Sequence, residues 1–309
     1  MLKEPETMQK VAVLIPCYNE AMTIAKVVAD FRQELPQADI YVYDNNSSDG
    51  SDGIARKAGA AVRYVSQQGK GNVVRRMFRE VEADVFVMVD GDDTYPANEV
   101  HKLIDPIADG RADMVNGDRL SSTYYEENKR PGHNFGNALV CSLVKCLWRR
   151  KINDVMTGYR AFSRFFVKTC PVLSSGFEIE TEMTLHTIDK RLALVEVPID
   201  YRDRPVGSTS KLNTVSDGIR VLMTIVRFFR MYRPFAFYAV IGTFLLLLAG
   251  GFFIPVLIEY LQIGEVPRYP TLIVSGFAAI AGLLSFTCGT VLAAIKRQND
   301  QVFEILAAR

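Results

Sequence analysis

Residues 85–92 read VFVMVDGD, an uninterrupted apolar run followed by two carboxylates that one glycine separates. Five consecutive apolar residues rich in valine predict a strand buried on both faces, as in the middle of a parallel sheet. Such sheets bind ligands beyond the carboxyl ends of their strands. The stretch therefore predicts an α/β domain with Asp90, Gly91 and Asp92 at its ligand-binding edge.

Similar apolar runs alternate with helical patterns through the first two thirds of the chain. We predict strands at residues 11–15, 40–43, 61–65, 85–89 and 114–116, and helices at about residues 21–35, 52–58, 72–80, 99–108, 135–149 and 179–190. Alternation of strands and helices with short connections is typical of a mostly parallel sheet covered by helices on both faces.

Polar residues follow four of these strands at the predicted ligand edge. They are Pro16, Tyr18, Asn19 and Glu20 after the first strand, Asp44 after the second, Lys70 between two glycines after the third, and Asp90 to Asp92 after the fourth. Four loops that bring acids, amides and a lysine to one edge are typical of a nucleotide site. Asp44 can accept hydrogen bonds from a base or a ribose hydroxyl, or it can cap the turn that follows. Lys70 and the N–H groups of its glycines can approach phosphate.

Asp90 and Asp92 form a D-x-D motif. Two carboxylates at a strand end can hold a hard divalent ion, Mg²⁺ or Mn²⁺, that also binds diphosphate oxygens. An isolated D-x-D more often caps a helix or a turn. Because this one directly follows an apolar strand, the metal site is the favoured interpretation.

The motifs form an ordered set that resembles family 2 glycosyltransferases of the GT-A fold. The set comprises P-x-Y-N-E at residues 16–20, D-N-x-S-x-D-G at 44–50, G-K-G at 69–71, D-G-D at 90–92 and D-x-x-x-G-Y-R at 154–160. Over about residues 10–212 the chain is similar to the dolichol- and polyprenyl-phosphate mannose and glucose synthases. The resemblance implies an inverting enzyme that transfers a hexose from a nucleotide-sugar to polyprenyl phosphate.

The resemblance also implies roles for individual residues. Pro16, Tyr18, Asn19, Glu20, Asp44, Lys70, Asp90 and Gly91 are expected to contact the nucleotide, and Asp90 and Asp92 to hold the metal. Arg119, Arg130, Asn134, Arg202, Arg204, Ser210 and Lys211 are expected to bind the acceptor phosphate. Many members have a glutamine where this chain has Thr94, which leaves the exact metal shell open.

The acceptor in such a reaction carries its own nucleophile. A phosphate monoester has a second pKa of about 6 and is largely dianionic at neutral pH, so it needs cationic positioning more than a general base. Asp92 and Asp154 are the predicted catalytic residues. The resemblance implies this role for Asp154, because it aligns with the family's catalytic-site aspartate. It can orient the acceptor or the sugar, act as a base, cap a helix, or pair with Arg160.

Two stretches near the C-terminus, residues 235–258 and 271–295, contain no charged side chain. About 20 apolar residues cross a hydrocarbon core of about 30 Å, so both are predicted transmembrane helices. The alternative is a pair of buried helices in a soluble domain. They resemble the paired C-terminal helices of the bacterial polyprenyl-phosphate glycosyltransferases. Gly250, Gly251 and Gly282 would allow close packing within one chain or in a homo-oligomer.

The charged residues around these stretches predict the topology. Basic residues lie before the first span and after the second, whereas the connection at residues 259–270 has two acids against one arginine. The apolar run at residues 11–15 is too short for the core of a signal peptide. We therefore expect a protein of the cell membrane with its catalytic domain and both termini in the cytoplasm.

The expected domains are a catalytic domain at residues 1–211, an amphipathic juxtamembrane helix at 212–234 and a membrane domain at 235–309. The amphipathic helix is expected to lie in the membrane interface; packing against the core of the soluble domain is the alternative.

Other features exclude several classes of protein. The net charge of +1 argues against nucleic acid as a partner. The five cysteines form no C-x-x-C pair, which favours reduced thiols in the cytosol. The chain lacks the Q-x-x-R-W motif of processive synthases. A catalytically silent scaffold stays as an alternative from another class.

UDP-glucose and UDP-N-acetylglucosamine are the favoured donors, with GDP-mannose as the alternative.

Overall fold

The computed structural model describes residues 9–121, 133–203, 223–224 and 226–307. The chain divides into two compact units, Met1–Val221 and Leu222–Arg309. Each unit is described by itself.

In the described part of the first unit, seven strands form one sheet in the order β3-β2-β1-β4-β6-β5-β7. The strands are β1 (Val11–Cys17), β2 (Asp39–Asp44), β3 (Ala61–Tyr64), β4 (Val85–Met88), β5 (Met114–Asp118), β6 (Arg160–Ser163) and β7 (Leu194–Pro198). β6 runs antiparallel to both of its neighbours, and the other described pairings are parallel. The predicted mostly parallel sheet is confirmed.

Helices cover both faces of this sheet. They are α1 (Ile24–Glu34), α2 (Ser51–Lys57), α3 (Lys70–Glu80), α4 (Val100–Ala108), α5 (His133–Trp148), α6 (Arg164–Thr169) and α7 (Ile179–Asp189). Successive side chains of a strand point to opposite faces, so Val13 belongs to the core that contains Phe31 of α1, and Leu14 to the core that contains Met77 of α3. The central strands are therefore buried on both sides, as their valine-rich sequences predict.

Each predicted strand and helix of the first unit forms within a few residues of its expected position. The prediction omitted β6, α6 and β7. Arg160 begins β6 and is fully buried, and Glu196 lies within β7. Charged side chains at these positions interrupt the apolar patterns that identify strands.

The second unit contains two long helices, α8 (Pro234–Ile263) and α9 (Tyr269–Ala307). α8 starts with a proline, which suits the first turn of a helix. It ends at Ile263 and is capped by Gly264, whose left-handed φ of 73° and N–H bond to the Tyr260 carbonyl are typical of a helix C-terminus. The two helices pack at Gly242 and Gly282, where an added Cβ would lie within 3.0 Å of the partner helix.

The apolar surface of α8 and α9 is largely exposed. Their most apolar windows have mean hydropathies of 2.4 and 2.0, yet only 17% and 11% of those windows are buried. A core helix of a soluble protein would be mostly buried, so the exposure favours membrane spans. Of the expected amphipathic helix, residues 212–222 and 225 lie outside the described residues, whereas residues 226–232 are helical.

Candidate active site

The first two loops of the ligand edge are joined by hydrogen bonds. The Asn19 N–H donates to Ser47 Oγ at 2.9 Å, and the side chain of Asn19 accepts from the Ser48 N–H at 2.8 Å. The Glu20 N–H donates to Ser51 Oγ at 2.8 Å. The amide of Asn19 therefore binds the second loop.

A buried amide joins the second loop to the third. Asn45 is 4% exposed, and its Nδ2 donates to the carbonyls of Val65 and Gln67 at 2.9 and 2.8 Å. Its Oδ1 accepts from the Gly69 N–H at 2.7 Å. This one side chain fixes the path of the chain just before Lys70. Sequence reasoning did not select Asn45, although it lies within the D-N-x-S motif.

Asp44 keeps unused acceptor capacity at the end of β2. It is 3% exposed, and its Oδ2 accepts from the Ser47 N–H at 3.3 Å. Oδ1 is buried without a hydrogen-bond partner among the described residues. A buried carboxylate oxygen without a donor is costly and uncommon. The position suits a ligand that brings its own donor, such as a base N–H or a ribose hydroxyl.

Thr94 orients the second acid of the D-G-D motif. Asp92 is 4% exposed, and its Oδ1 accepts from the Thr94 hydroxyl at 2.7 Å and from the Thr94 N–H at 3.3 Å. The Gly91 carbonyl accepts from the hydroxyl of Thr23 at 2.6 Å. Thr94 therefore fixes the orientation of the Asp92 carboxylate.

The acids of this loop fit a cation that shares its shell with a ligand. Among the residues that the structure describes, no group of three or more histidine, cysteine, aspartate or glutamate side chains could hold a metal ion. Mg²⁺ commonly binds one or two carboxylates and completes its shell with water and substrate phosphates. Asp90 and Asp92 are two carboxylates of this kind, and a bound diphosphate would supply the remaining ligands.

Lys70 lies between two carboxylates. Its Nζ is 2.5 Å from Asp90 Oδ1 and 2.6 Å from Glu180 Oε1, and its side chain is 8% exposed. Burial alone would lower the pKa of Lys70, but the charges of Asp90 and Glu180 outweigh it and raise that pKa. Lys70, which was expected to contact the nucleotide, therefore pairs in the structure with Asp90 of the D-G-D motif. Glu180, on α7, was not predicted.

Three glycines make this packing possible. A Cβ on Gly69 or Gly71 would lie 2.2 Å from a backbone carbonyl oxygen of Ser175 or Ser174. A Cβ on Gly158 would lie 2.2 Å from Asp90 Oδ2. Such distances are far below van der Waals contact, so the backbone approaches closely at all three positions.

Asp154 forms a buried ion pair with Arg119. Arg119 Nε lies 2.6 Å from Asp154 Oδ2, and Nη2 lies 3.2 Å from Oδ1. Asp154 is fully buried, and its Oδ1 also accepts from the Met156 N–H at 3.1 Å. The guanidinium of Arg119 lies 5.6 Å from the centre of the Tyr201 ring. The described ion pair of Asp154 is thus with Arg119, and this geometry favours the orienting role over that of a base.

Side chains from four different elements hold the loop at residues 153–158. Each bonds backbone N–H or C=O groups of the loop, at distances between 2.6 and 3.3 Å. They are Glu196 on β7, Asn137 on α5, Arg160 on β6 and Tyr95 after β4. Burial raises the pKa of Glu196 and lowers that of Arg160 to about 10. Because most backbone N–H groups of the loop have a described acceptor, the loop holds Asp154 in a defined position.

The remaining predicted residues are placed only in part. Pro16 lies in β1 and Tyr18 is 39% exposed. Arg202 is exposed, and its N–H donates to the Thr94 carbonyl at 2.9 Å, next to the D-G-D motif. Arg130, Arg204, Ser210, Lys211 and the side chain of Asn134 lie outside the described residues.

Comparison with solved structures identifies the fold of the first unit. The chain resembles the glucosyl-3-phosphoglycerate synthase of Mycobacterium tuberculosis, solved with Mn²⁺, UDP-glucose and phosphoglyceric acid. The TM-score is 0.56 at 21% identity, over 72% of this chain and 79% of that one. The first unit has the GT-A fold of glycosyltransferases, as expected.

Sequence comparison then gives the family. The profile of Glycosyl transferase family 2 matches residues 12–170, and the chain belongs to that family. It is 34% identical to the glycosyltransferase AglJ of Haloferax volcanii over 242 residues, 76% of this chain and 77% of that protein. It is 31% identical to a dolichyl-phosphate hexose transferase of the same organism over 221 residues, 72% of this chain and 94% of that protein. The predicted family is confirmed, and the chain is a glycosyltransferase.

Proposed function

We propose that this chain transfers a hexose from a nucleotide-sugar to polyprenyl phosphate at a membrane, giving a polyprenyl-monophosphate sugar. The observation that carries the proposal is the joining of a family 2 domain to two long helices whose apolar surface is largely exposed. A polyprenyl chain is confined to the bilayer, so an enzyme that uses it gains from a membrane anchor. The hexose transferase named for dolichyl phosphate supports the same acceptor class.

On the donor side, Asp44 would accept a hydrogen bond from the nucleoside, because its Oδ1 has no partner in the described structure. Asp90 and Asp92 would hold a divalent cation, with Asp92 aimed by Thr94. That cation, Mg²⁺ or Mn²⁺, would bind the diphosphate oxygens and neutralise charge on the departing nucleoside diphosphate. The mycobacterial synthase was solved with Mn²⁺ and UDP-glucose, which supports a divalent cation as the cofactor.

On the acceptor side, a phosphate oxygen would attack the anomeric carbon. The bond from that carbon to the donor diphosphate breaks, the bond to the acceptor phosphate forms, and the configuration inverts. A dianionic phosphate needs no base, which agrees with the burial of Asp154. Asp154 would instead hold Arg119 beside the site. The proposed acceptor group comprises Arg119, Arg130, Asn134, Arg202, Arg204, Ser210 and Lys211.

We further propose that the catalytic domain and both termini lie in the cytoplasm of a cell whose membrane carries polyprenyl phosphate. The basic flanks of the two spans support this orientation. UDP-glucose and UDP-N-acetylglucosamine are the favoured donors, and GDP-mannose is the alternative, because sugar specificity depends on a few hydrogen bonds to the hexose.

The test is a transfer assay with the full-length protein in detergent. It is incubated with undecaprenyl phosphate and, in turn, with radiolabelled UDP-glucose, UDP-N-acetylglucosamine and GDP-mannose, with and without Mg²⁺ or Mn²⁺. We expect one donor to label the lipid in a cation-dependent way. A parallel reaction with phosphoglyceric acid as a soluble acceptor should give no product. Lipid labelling from none of the donors, or preferential labelling of the soluble acceptor, would refute the proposal.

A pair of variants separates an enzyme from a scaffold. Asp92→Asn removes a charge from the proposed cation site, and we expect transfer to fall at least 100-fold, a loss of about 2.7 kcal/mol of transition-state stabilisation. Asp109→Asn is the matched control, because Asp109 forms an exposed surface pair with Arg111. Undiminished lipid labelling by Asp92→Asn would support the scaffold and reject the metal assignment.

A further inference from the structure

Asp90, the first acid of the D-G-D motif, is already paired with a cationic side chain of the protein. Lys70 Nζ lies 2.5 Å from Asp90 Oδ1, and the other carboxylate oxygen of Asp90 faces the backbone at Gly158. The side chain of Asp90 is 28% exposed, so it can still be reached by a ligand. A cation that binds Asp90 must therefore share or displace the ammonium group.

Lys70 is held at this place from two sides. Its Nζ also lies 2.6 Å from Glu180 Oε1, and the Glu180 side chain is 7% exposed. The glycines on either side of Lys70 pack directly against the backbone of Ser174 and Ser175. The ammonium thus has a second anchor that does not depend on Asp90.

Cation and ammonium have to compete at this distance. Mg²⁺ and Ca²⁺ bind oxygen at about 2.0 to 2.6 Å, so a metal ion on Asp90 would lie within a few ångströms of Nζ. Like charges that close repel strongly in a partly buried site. A diphosphate would reduce this repulsion, because its negative oxygens attract both cations.

We propose that Lys70 is a positioning residue whose ammonium group competes with the divalent cation for Asp90 and moves toward the diphosphate when a nucleotide binds. Glu180 keeps the ammonium within reach of both positions. The cation and the nucleoside diphosphate are then taken up together, and the free protein binds the cation weakly. This inference rests on the proposed function only in placing the cation at Asp90.

The experiment measures Mn²⁺ binding to the full-length protein in detergent. Electron paramagnetic resonance of free Mn²⁺ gives the Kd with and without UDP. Lys70→Met removes the competing charge, and we expect Mn²⁺ to bind at least tenfold more tightly than to the wild type without UDP. The enhancement by UDP should shrink accordingly. Lys70→Arg keeps the charge and should remain close to the wild type.

Two further variants exclude other causes. Lys26→Met is the matched control, because Lys26 pairs with the neighbouring loop acid Asp93 at 2.7 Å and lies at the surface; its Mn²⁺ Kd should stay within twofold of the wild type. Lys70→Met leaves Glu180 buried without a counter-ion, so the double variant Lys70→Met with Glu180→Gln is measured in parallel. It should show the same tightening, with a melting temperature that confirms folding.

The outcomes decide the inference without any sugar transfer. Equal or weaker Mn²⁺ binding by both Lys70→Met variants would overturn it, as would an equal gain in Lys26→Met, which would indicate a general field effect. A gain confined to the Lys70→Met variants supports it, even if the protein fails to label polyprenyl phosphate. In that case polyprenyl phosphate is rejected as the acceptor, while the competition between Lys70 and the cation for Asp90 is supported.

Discussion

Replacing Gly158 by alanine tests whether the position of Asp90 depends on a missing side chain. The new Cβ would lie 2.2 Å from Asp90 Oδ2 and 2.8 Å from its Cγ. Nonbonded atoms settle at about 3.5 Å, so the carboxylate or the loop has to move by on the order of 1 Å. Turning the carboxylate away would also disturb the ion pair between its other oxygen and Lys70. A displacement of about 1 Å at a reacting group can cost about 100-fold in rate.

The assay is the initial rate of hexose transfer to polyprenyl phosphate by the full-length protein. We expect Gly158→Ala to lower kcat/KM about 100-fold, equivalent to about 2.7 kcal/mol, while the protein stays folded. Gly53→Ala is the control, since Gly53 lies in α2 with nothing within 4 Å of an added Cβ; it should keep full activity. A Gly158→Ala protein with wild-type melting temperature and a rate within threefold of the wild type would refute the reasoning.

Three other changes probe the buried charges around the site. Asp154→Asn leaves Arg119 buried without its counter-ion, so the free energy of unfolding should fall by about 3 kcal/mol, seen as a melting temperature lower by on the order of 10 °C; an unchanged melting temperature would contradict this. Arg160→Lys keeps the charge but loses the planar fork that binds two loop carbonyls, and we expect a loss of about 2 kcal/mol in denaturant unfolding; a loss below about 0.5 kcal/mol would argue against the fork. Burial lowers the pKa of His186 from 6.5 to about 4. The unfolded chain therefore takes up the proton first, and stability that is complete above pH 6.5 declines by up to about 3 kcal/mol as the pH falls toward 4. His186→Gln should flatten the fall in melting temperature between pH 7 and 5, and an identical slope would show that other groups cause it.

The central strands and their helices were predictable because their side chains are sorted by simple patterns. Runs such as VFVMV report burial on both faces, and the polar residues after them report the ligand edge. β6 was not predictable in this way. Its first residue is a fully buried arginine, whose charge is accommodated by carbonyls and a hydroxyl that come together only in the folded chain.

The site was predictable as a set of loops but not as a set of partners. Order along the chain placed Asp44, Lys70 and Asp90 at one edge, where the structure has them. Their local chemistry did not reveal that Lys70 would pair with Glu180, or Asp154 with Arg119. Both pairs join residues that are far apart in sequence, and no local sequence pattern indicates that they will meet in the folded protein.

The amide of Asn45 has a consequence for anyone who wishes to redesign this enzyme. It binds the third loop through three hydrogen bonds, while Asn19 binds the second loop from the first. The segments that would contact the base, the ribose and the phosphates therefore behave as one interlocked part. A graft that imports a single loop from a relative with another donor would break these bonds, whereas exchanging residues 17–21, 44–51 and 65–71 as one cassette would preserve them.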